Sequence, residues 1–266
     1  MVVSSRRSFL KTAALTGLAT AIAPTSLLEK GFAERDIEVS STEKNLVFLF
    51  QGDSITDGNR GRNADPNHVM GHGYAFAIAI ASRVGADFPH AGFTFFNRGV
   101  SGNSVPDLQK RWQSDTLALK PDVLSLLVGI NDTNASIEHP NDAPGIEQFE
   151  NGCHDLLQQC KTPKPDTLFV LGIPFVYAVG KRKEHWEQWR DGVEERAKIV
   201  RKLGKEFNAV LVDYPAMFEK AMKTTSADYW IWDGIHPTVF GHELMAREWI
   251  KQVSARLLFL KKYRYK

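Results

Sequence analysis

The run Leu46-Val47-Phe48-Leu49-Phe50-Gln51-Gly52-Asp53-Ser54-Ile55-Thr56-Asp57-Gly58 passes from five consecutive apolar residues into a polar turn bounded by glycines. An unbroken apolar run of this length, without polar alternation, suits a strand covered on both faces. The glycines permit a tight path from that strand into a following helix. A serine at this turn would present its hydroxyl to the crevice beyond the strand and leave its backbone N–H free. Taken alone, Gly-Asp-Ser is also ordinary turn chemistry.

Outward from this run the pattern repeats. Apolar runs at Leu46–Phe50, Phe93–Asn97, Val123–Val128, Leu168–Ile173 and Val210–Val212 alternate with helical periodicity at 73–84, 106–119, 144–160, 185–207 and 238–257. Strands alternating with helices predict βαβ units and a parallel sheet. The fold class expected is α/β: a three-layer αβα sandwich with a five-stranded parallel sheet in the flavodoxin-like order 2-1-3-4-5. No internal repeat or low-complexity segment interrupts it, so one domain is expected over 45–260, followed by a basic tail at 261–266.

Ligands of such sheets bind beyond the carboxyl ends of the strands, and three further loops there carry unusual residues. After the second strand comes Asn97-Arg98-Gly99-Val100-Ser101-Gly102-Asn103-Ser104, whose glycines could bring a backbone N–H close to a ligand. Ser104 with Pro106 equally reads as a helix entry. After the third strand, Gly129-Ile130-Asn131-Asp132 offers a side-chain amide, or alternatively an Asx-type turn. Before the last helix, Trp232-Asp233-Gly234-Ile235-His236-Pro237 puts a carboxylate three residues before an imidazole. Pro237 restricts His236 to extended backbone, so the helix starts after the histidine. A capping Asp beside a surface His is the plainer reading of that loop.

Four such blocks on one sheet edge, ordered nucleophile, donor, donor and acid-plus-base, resemble the SGNH (GDSL-type) hydrolases over the whole mature domain. The resemblance implies Ser54 as nucleophile, His236 as general base and Asp233 as the carboxylate orienting it. It implies an oxyanion hole of the Ser54 and Gly102 N–H groups and the Asn131 amide. No metal or organic cofactor is implied. Within the family the blocks are most similar to bacterial acetylxylan esterases, as are Leu108–Pro121 and Gly241-His242. Those relatives often carry an aromatic residue where this chain has Thr133-Asn134. The activity expected is therefore a serine esterase acting on acetyl groups of carbohydrates such as xylo-oligosaccharides. A lipid esterase or acyl-thioesterase on the same triad is the alternative. Trp232, beside the triad, offers a flat apolar platform for a sugar ring. Asp53 is a second substrate-contact candidate, though shaping the loop through backbone hydrogen bonds is its simpler role. His242 reads as structural, His68 and His72 as solvated loop residues, Lys181-Arg182-Lys183 as a solvated face, and Trp186 and Trp189 as packing residues.

Residues 1–33 read as an export signal: Arg6-Arg7, an apolar stretch to about Leu28, and small residues near Ala33 resemble a twin-arginine signal. A polar linker follows at 34–44, and the mature protein is expected in the periplasm or outside the cell. The signal holds four basic residues and one acidic, so 33 − 4 = 29 basic face 31 − 1 = 30 acidic ones afterwards, a net charge of −1. That balance gives no electrostatic case for nucleic acid. No apolar run reaches the ~18 residues of a membrane span, so stable membrane insertion is not expected. A small-molecule or oligosaccharide ester is the expected partner, and the resemblance allows a homo-oligomer. At 43% hydrophobic and 24% charged, the chain can fill a core without staples. Cys153 and Cys160, ~10 Å apart if helical, are beyond disulfide reach and read as buried thiols.

Overall fold

Hydrophobic side chains alternate strictly between two separate clusters along every central strand, and that alternation builds the layers. The computed structural model describes residues 39–62 and 65–265. The segment 1–33 read as an export signal, with Arg6 and Arg7, and residues 34–38 of the expected linker lie outside the described residues.

Strand β1 (Val47–Gly52) runs into a one-turn helix, α1 (Ser54–Asp57). Helix α2 (Phe76–Asp87) leads to β2 (Thr94–Asn97), and α3 (Val105–Asp115) to β3 (Val123–Leu127). Two helices, α4 (Ile130–Glu138) and α5 (Ile146–Lys161), precede β4 (Leu168–Gly172). The long α6 (Trp186–Glu206) returns the chain to β5 (Val210–Val212), and α7 (Tyr214–Ala221), α8 (Ala227–Trp230) and α9 (Val239–Val253) complete it. All pairings are parallel, in the order β2-β1-β3-β4-β5. This is the expected sandwich.

On one face Phe48, Phe50, Val123, Leu127, Val170 and Val212 pack beneath α2, α7 and α9. On the other, Leu49, Leu124, Leu126, Phe169 and Leu171 meet the side chains of α3, α5 and α6. Ser125 faces the first cluster and is buried, which is tolerated because its hydroxyl accepts the Trp249 indole N–H at 3.0 Å. Cys153 and Cys160 are free and buried in the second cluster, as the sequence suggested. None of the described helices is long and apolar enough to cross a membrane.

Three expectations shift. Residues 261–265 are not a loose tail: Leu258–Lys262 form a 3-10 turn, and Tyr263 and Tyr265 stack on each other at 5.9 Å against the first cluster. The aromatics interleaved with the basic residues supply the burial that a tail would lack. At the other end Val39 already packs on the core, so the fold begins before residue 45. Helices α4 and α7 were not foreseen, because both are short and their apolar stripe is broken by polar residues.

Because β1 pairs with β2 on one side and β3 on the other, the strand order reverses between β1 and β3. Crevices open at such points, beyond the carboxyl ends of the strands. Ser54 follows β1 and Asn131 follows β3, so the two blocks flank the reversal.

Candidate active site

Asp53 sets the nucleophile turn. It caps α1, its Oδ1 accepting the Ile55 N–H at 2.9 Å while its carbonyl accepts from Thr56 and Asp57 at 3.1 and 2.8 Å. Gly58 closes the turn in the left-handed region and donates to the Ser54 carbonyl. Ser54, the first helical residue, is half-buried, and among the described residues its N–H has no hydrogen-bond acceptor. Its hydroxyl lies 2.8 Å from Nε2 of His236. Asp53 itself is only 1% exposed, and burial raises its carboxyl to about 7. That burial removes it from any substrate surface, so of the two roles considered for it, loop shaping is the one its contacts serve.

The C-terminal loop supplies the other two members of the relay. Nδ1 of His236 is 2.7 Å from Oδ2 of Asp233, and the opposite oxygen of Asp233 accepts the Ile235 and His236 N–H groups at 2.9 and 2.7 Å. Burial raises the Asp233 carboxyl, but the bonds from the imidazole and these two amides outweigh it and hold the group below its usual range. The loop is closed on itself by the Trp232 N–H donating to the His236 carbonyl at 3.1 Å. It is tied to the sheet side by Tyr177 N–H on the Gly234 carbonyl at 2.8 Å. As Pro237 predicted, α9 starts only at Val239, with Thr238 as its cap. Trp232 is 62% exposed and stacks on the imidazole, centroids 5.8 Å apart and planes 22° apart.

Two donor candidates follow the carboxyl ends of β2 and β3, the strands on either side of β1. Gly102 sits at φ +83°, with its N–H unaccepted among the described residues, and a Cβ there would meet nothing within 4 Å. The space beside it is open. Asn131 is not in a loop, as its Asx-turn reading required, but in the first turn of α4. One amide N–H is given to the Asn103 carbonyl at 3.0 Å, which leaves the second for another acceptor.

What the sequence left unassigned is the scaffold between the blocks. Asp57 is buried and accepts both nitrogens of Arg62 at 2.9 Å, plus the N–H and hydroxyl of Ser101, each at 2.8 Å. Burial opposes ionisation here too, but Arg62 and Ser101 hold the carboxyl below its usual value. Asn97, also buried, donates to the Thr56 and His72 carbonyls at 2.7 and 2.8 Å and accepts the Gly99 N–H. Gly99 approaches so closely that a Cβ would lie 2.4 Å from the Asp57 nitrogen. Asp132 accepts the Val105 N–H at 3.0 Å, joining the third block to α3. Asp57 and Asn97 stood inside the quoted blocks. Asn97, a polar residue ending β2, carried the one sequence signal: its partners Thr56 and His72 lie 41 and 25 positions away.

The remaining candidates sort differently. His242 is buried, its pKa pushed down to about 4 by that burial, and it touches Tyr74 edge-on at 6.3 Å. His72 binds the Pro66 carbonyl at 2.7 Å rather than standing free in solvent. Trp189 is buried, but Arg182, expected on a solvated face, lies over its ring at 4.3 Å and packs beneath Gly234. The guanidinium is partly drawn from solvent because an indole face receives it. Among the described residues no group of three or more His, Cys, Asp or Glu side chains converges to hold a metal ion.

The sequence profile of the GDSL-like lipase/acylhydrolase family matches residues 50–244. The chain belongs to this family. An acetylxylan esterase of Geobacillus stearothermophilus is 30% identical over 221 residues, spanning 82% of this chain and 97% of that protein. A crystal structure of an acetylxylan esterase from the same organism superposes with a TM-score of 0.69 at 29% identity, covering 79% of this chain and 94% of that one. A GDSL-like protein of Parabacteroides merdae gives 0.75 at 37% identity, over 80% and 98%. Membership makes the chain a carboxylic ester hydrolase with the SGNH fold.

Proposed function

We propose that the enzyme removes small acyl groups, acetyl foremost, from carbohydrate acceptors such as xylo-oligosaccharides, through an acyl-enzyme on Ser54. The observation that carries this reading is the unbroken relay of 2.8 and 2.7 Å from the Ser54 hydroxyl through His236 to Asp233. A serine hydroxyl is a poor nucleophile at neutral pH, so Nε2 takes its proton as the oxygen attacks the acyl carbon. Ionised Asp233 holds the imidazole in the tautomer that leaves Nε2 free, and it stabilises the imidazolium formed. Negative charge then gathers on the acyl oxygen, where the Ser54 and Gly102 N–H groups and the spare Asn131 amide proton serve as donors. The imidazolium returns its proton to the departing sugar alkoxide. Water, deprotonated by the same imidazole, cleaves the acyl-serine and releases acetate.

For the acceptor, two things favour a sugar. Trp232 lies flat beside the imidazole and is largely exposed, as a platform for a pyranose face would be. The Geobacillus relatives are named acetylxylan and acetyl-xylooligosaccharide esterases, and catalytic mutants of one of them replace a serine and an aspartate with alanine. Hydrolysis of nitrophenyl acetate that fades to nothing by octanoate, with acetate released from acetylated xylan, is the expected result. A rate that climbs with chain length would overturn it in favour of a lipid esterase.

A further inference from the structure

Resting on that donor assignment, we propose that Arg111, on α3, is a positioning residue for the oxyanion donors. Arg111 touches none of the three relay side chains, and its own side chain is 17% exposed. Its Nε donates to the Asn103 side-chain oxygen at 2.7 Å. One terminal nitrogen donates to the Arg98 carbonyl at 2.7 Å, the Gln51 side chain at 3.0 Å and Asp115 at 3.1 Å. The other reaches the Gly52 carbonyl at 3.3 Å.

These acceptors are not scattered. Gln51 and Gly52 end β1 directly before the nucleophile turn. Arg98 and Asn103 lie at the two ends of the segment that carries Gly102, and the Asn103 carbonyl is the acceptor that orients Asn131. A single guanidinium therefore clamps the root of the Ser54 turn, both ends of the Gly102 loop and, through Asn103, the Asn131 amide. Asp57 and Asn97 already hold the loop on the Ser101 and Gly99 side; the clamp fixes its Asn103 end, next to Gly102, which is exposed and, as a glycine, has the widest backbone freedom of any residue. Donors stabilise a developing oxyanion only if they are already aimed when charge appears, since reorganising them consumes the gain. The planar fork suits the task. It can serve acceptors diverging in several directions, which a lysine ammonium on a flexible stem does less well.

The test compares Arg111→Met, Arg111→Lys, Asn131→Ala and the double variant Arg111→Met/Asn131→Ala, all in the full chain. Substrates are nitrophenyl acetate and its thiono analogue, whose sulfur is a poorer hydrogen-bond acceptor. Arg111→Met is expected to lower kcat at least tenfold with KM within twofold. It should also shrink the preference for the oxo ester, as Asn131→Ala does, and Arg111→Lys should recover only part of both. In the double variant the losses are expected to fall short of the product of the single ones, because both act on one donor set. A kcat within twofold of the parent would overturn the proposal. So would a loss of activity that follows a lowered Tm while the oxo-to-thiono ratio stays at the parent value. Should Arg111→Met not fold, Asn103→Ala, which removes only the amide between clamp and loop, is read by the same criteria. An unaltered rate and ratio in Asn131→Ala would instead sink the donor assignment itself, and the present proposal with it.

Discussion

At the N-terminal end of the sheet Asp122 accepts the Val47 N–H at 2.7 Å and pairs with Lys164 at 2.5 Å, both side chains about a third exposed. At the C-terminal end Asp57 gathers Arg62 and Ser101 while almost wholly buried, and Asp53, Asn97 and Asp132 are buried beside it. Both ends stitch adjacent loops with a carboxylate, but at very different cost. A half-exposed ion pair in solvent contributes little and loses little when broken. Buried carboxylates forfeit hydration and depend on hydrogen bonds to offset it, so the C-terminal rim concentrates polar groups where they are most expensive. That rim is also where Ser54, Asn131 and His236 must be held to a fixed geometry. One edge of the sheet is stitched at little cost and little gain, and the other spends stability on position.

The largest effect that tests this contrast is Ser54→Ala. It should lower turnover of nitrophenyl acetate by about 10⁴-fold or more, as loss of a triad nucleophile does, while the melting temperature stays near the parent's. Retained turnover would end the mechanism. Next, Asp57→Asn should cost about 2 kcal/mol, because it leaves Arg62 and Ser101 partly unsatisfied in a buried setting. For a domain of this size that is a fall in Tm of roughly 4–8 °C, and kcat should fall with it because Gly102 follows Ser101 directly. A smaller effect with a defined sign comes from Asp53, whose carboxyl is raised from the ordinary 3.8 to about 7. The folded state holds this proton where the unfolded chain has released it, so the group's contribution to stability declines as pH rises from about 4 to 7. Asp53→Asn should remove that decline, and a urea-melt series over this range that runs parallel to the parent would contradict it. Smallest of all, Lys164→Ala at the opposite edge should change stability by under about 1 kcal/mol and leave kcat and KM untouched. An effect there as large as that of Asp57→Asn would erase the contrast.

Much of the rim was legible because its polar residues lie within short stretches of chain. Asp233 and His236 are three residues apart, and Pro237 forced the backbone that lets them meet. The sandwich was legible for a similar reason, since strands buried on both faces must be apolar throughout, as Val123–Leu127 is. Asn131 was placed at the right edge but in the wrong element, because α4 is a short helix whose stability comes from packing rather than from a long periodic stripe. Arg111 and Arg62 left no mark at all. Arg111 looks like any other charged residue of an amphipathic helix until its partner Gln51, sixty positions away, is known, and Arg62 like any other charged residue of a polar loop.

The sequence by itself determined the layers, the strand order and which residue types reach the crevice, because local periodicity and turn chemistry act over a few residues. Only the tertiary structure decided that Asp53 is buried beneath the turn, that Arg182 lies over an indole face, and that a single guanidinium ties the Ser54 turn to the Gly102 loop. Those outcomes depend on which distant groups share a low-dielectric space, and burial is a property of the assembled fold rather than of any stretch of chain.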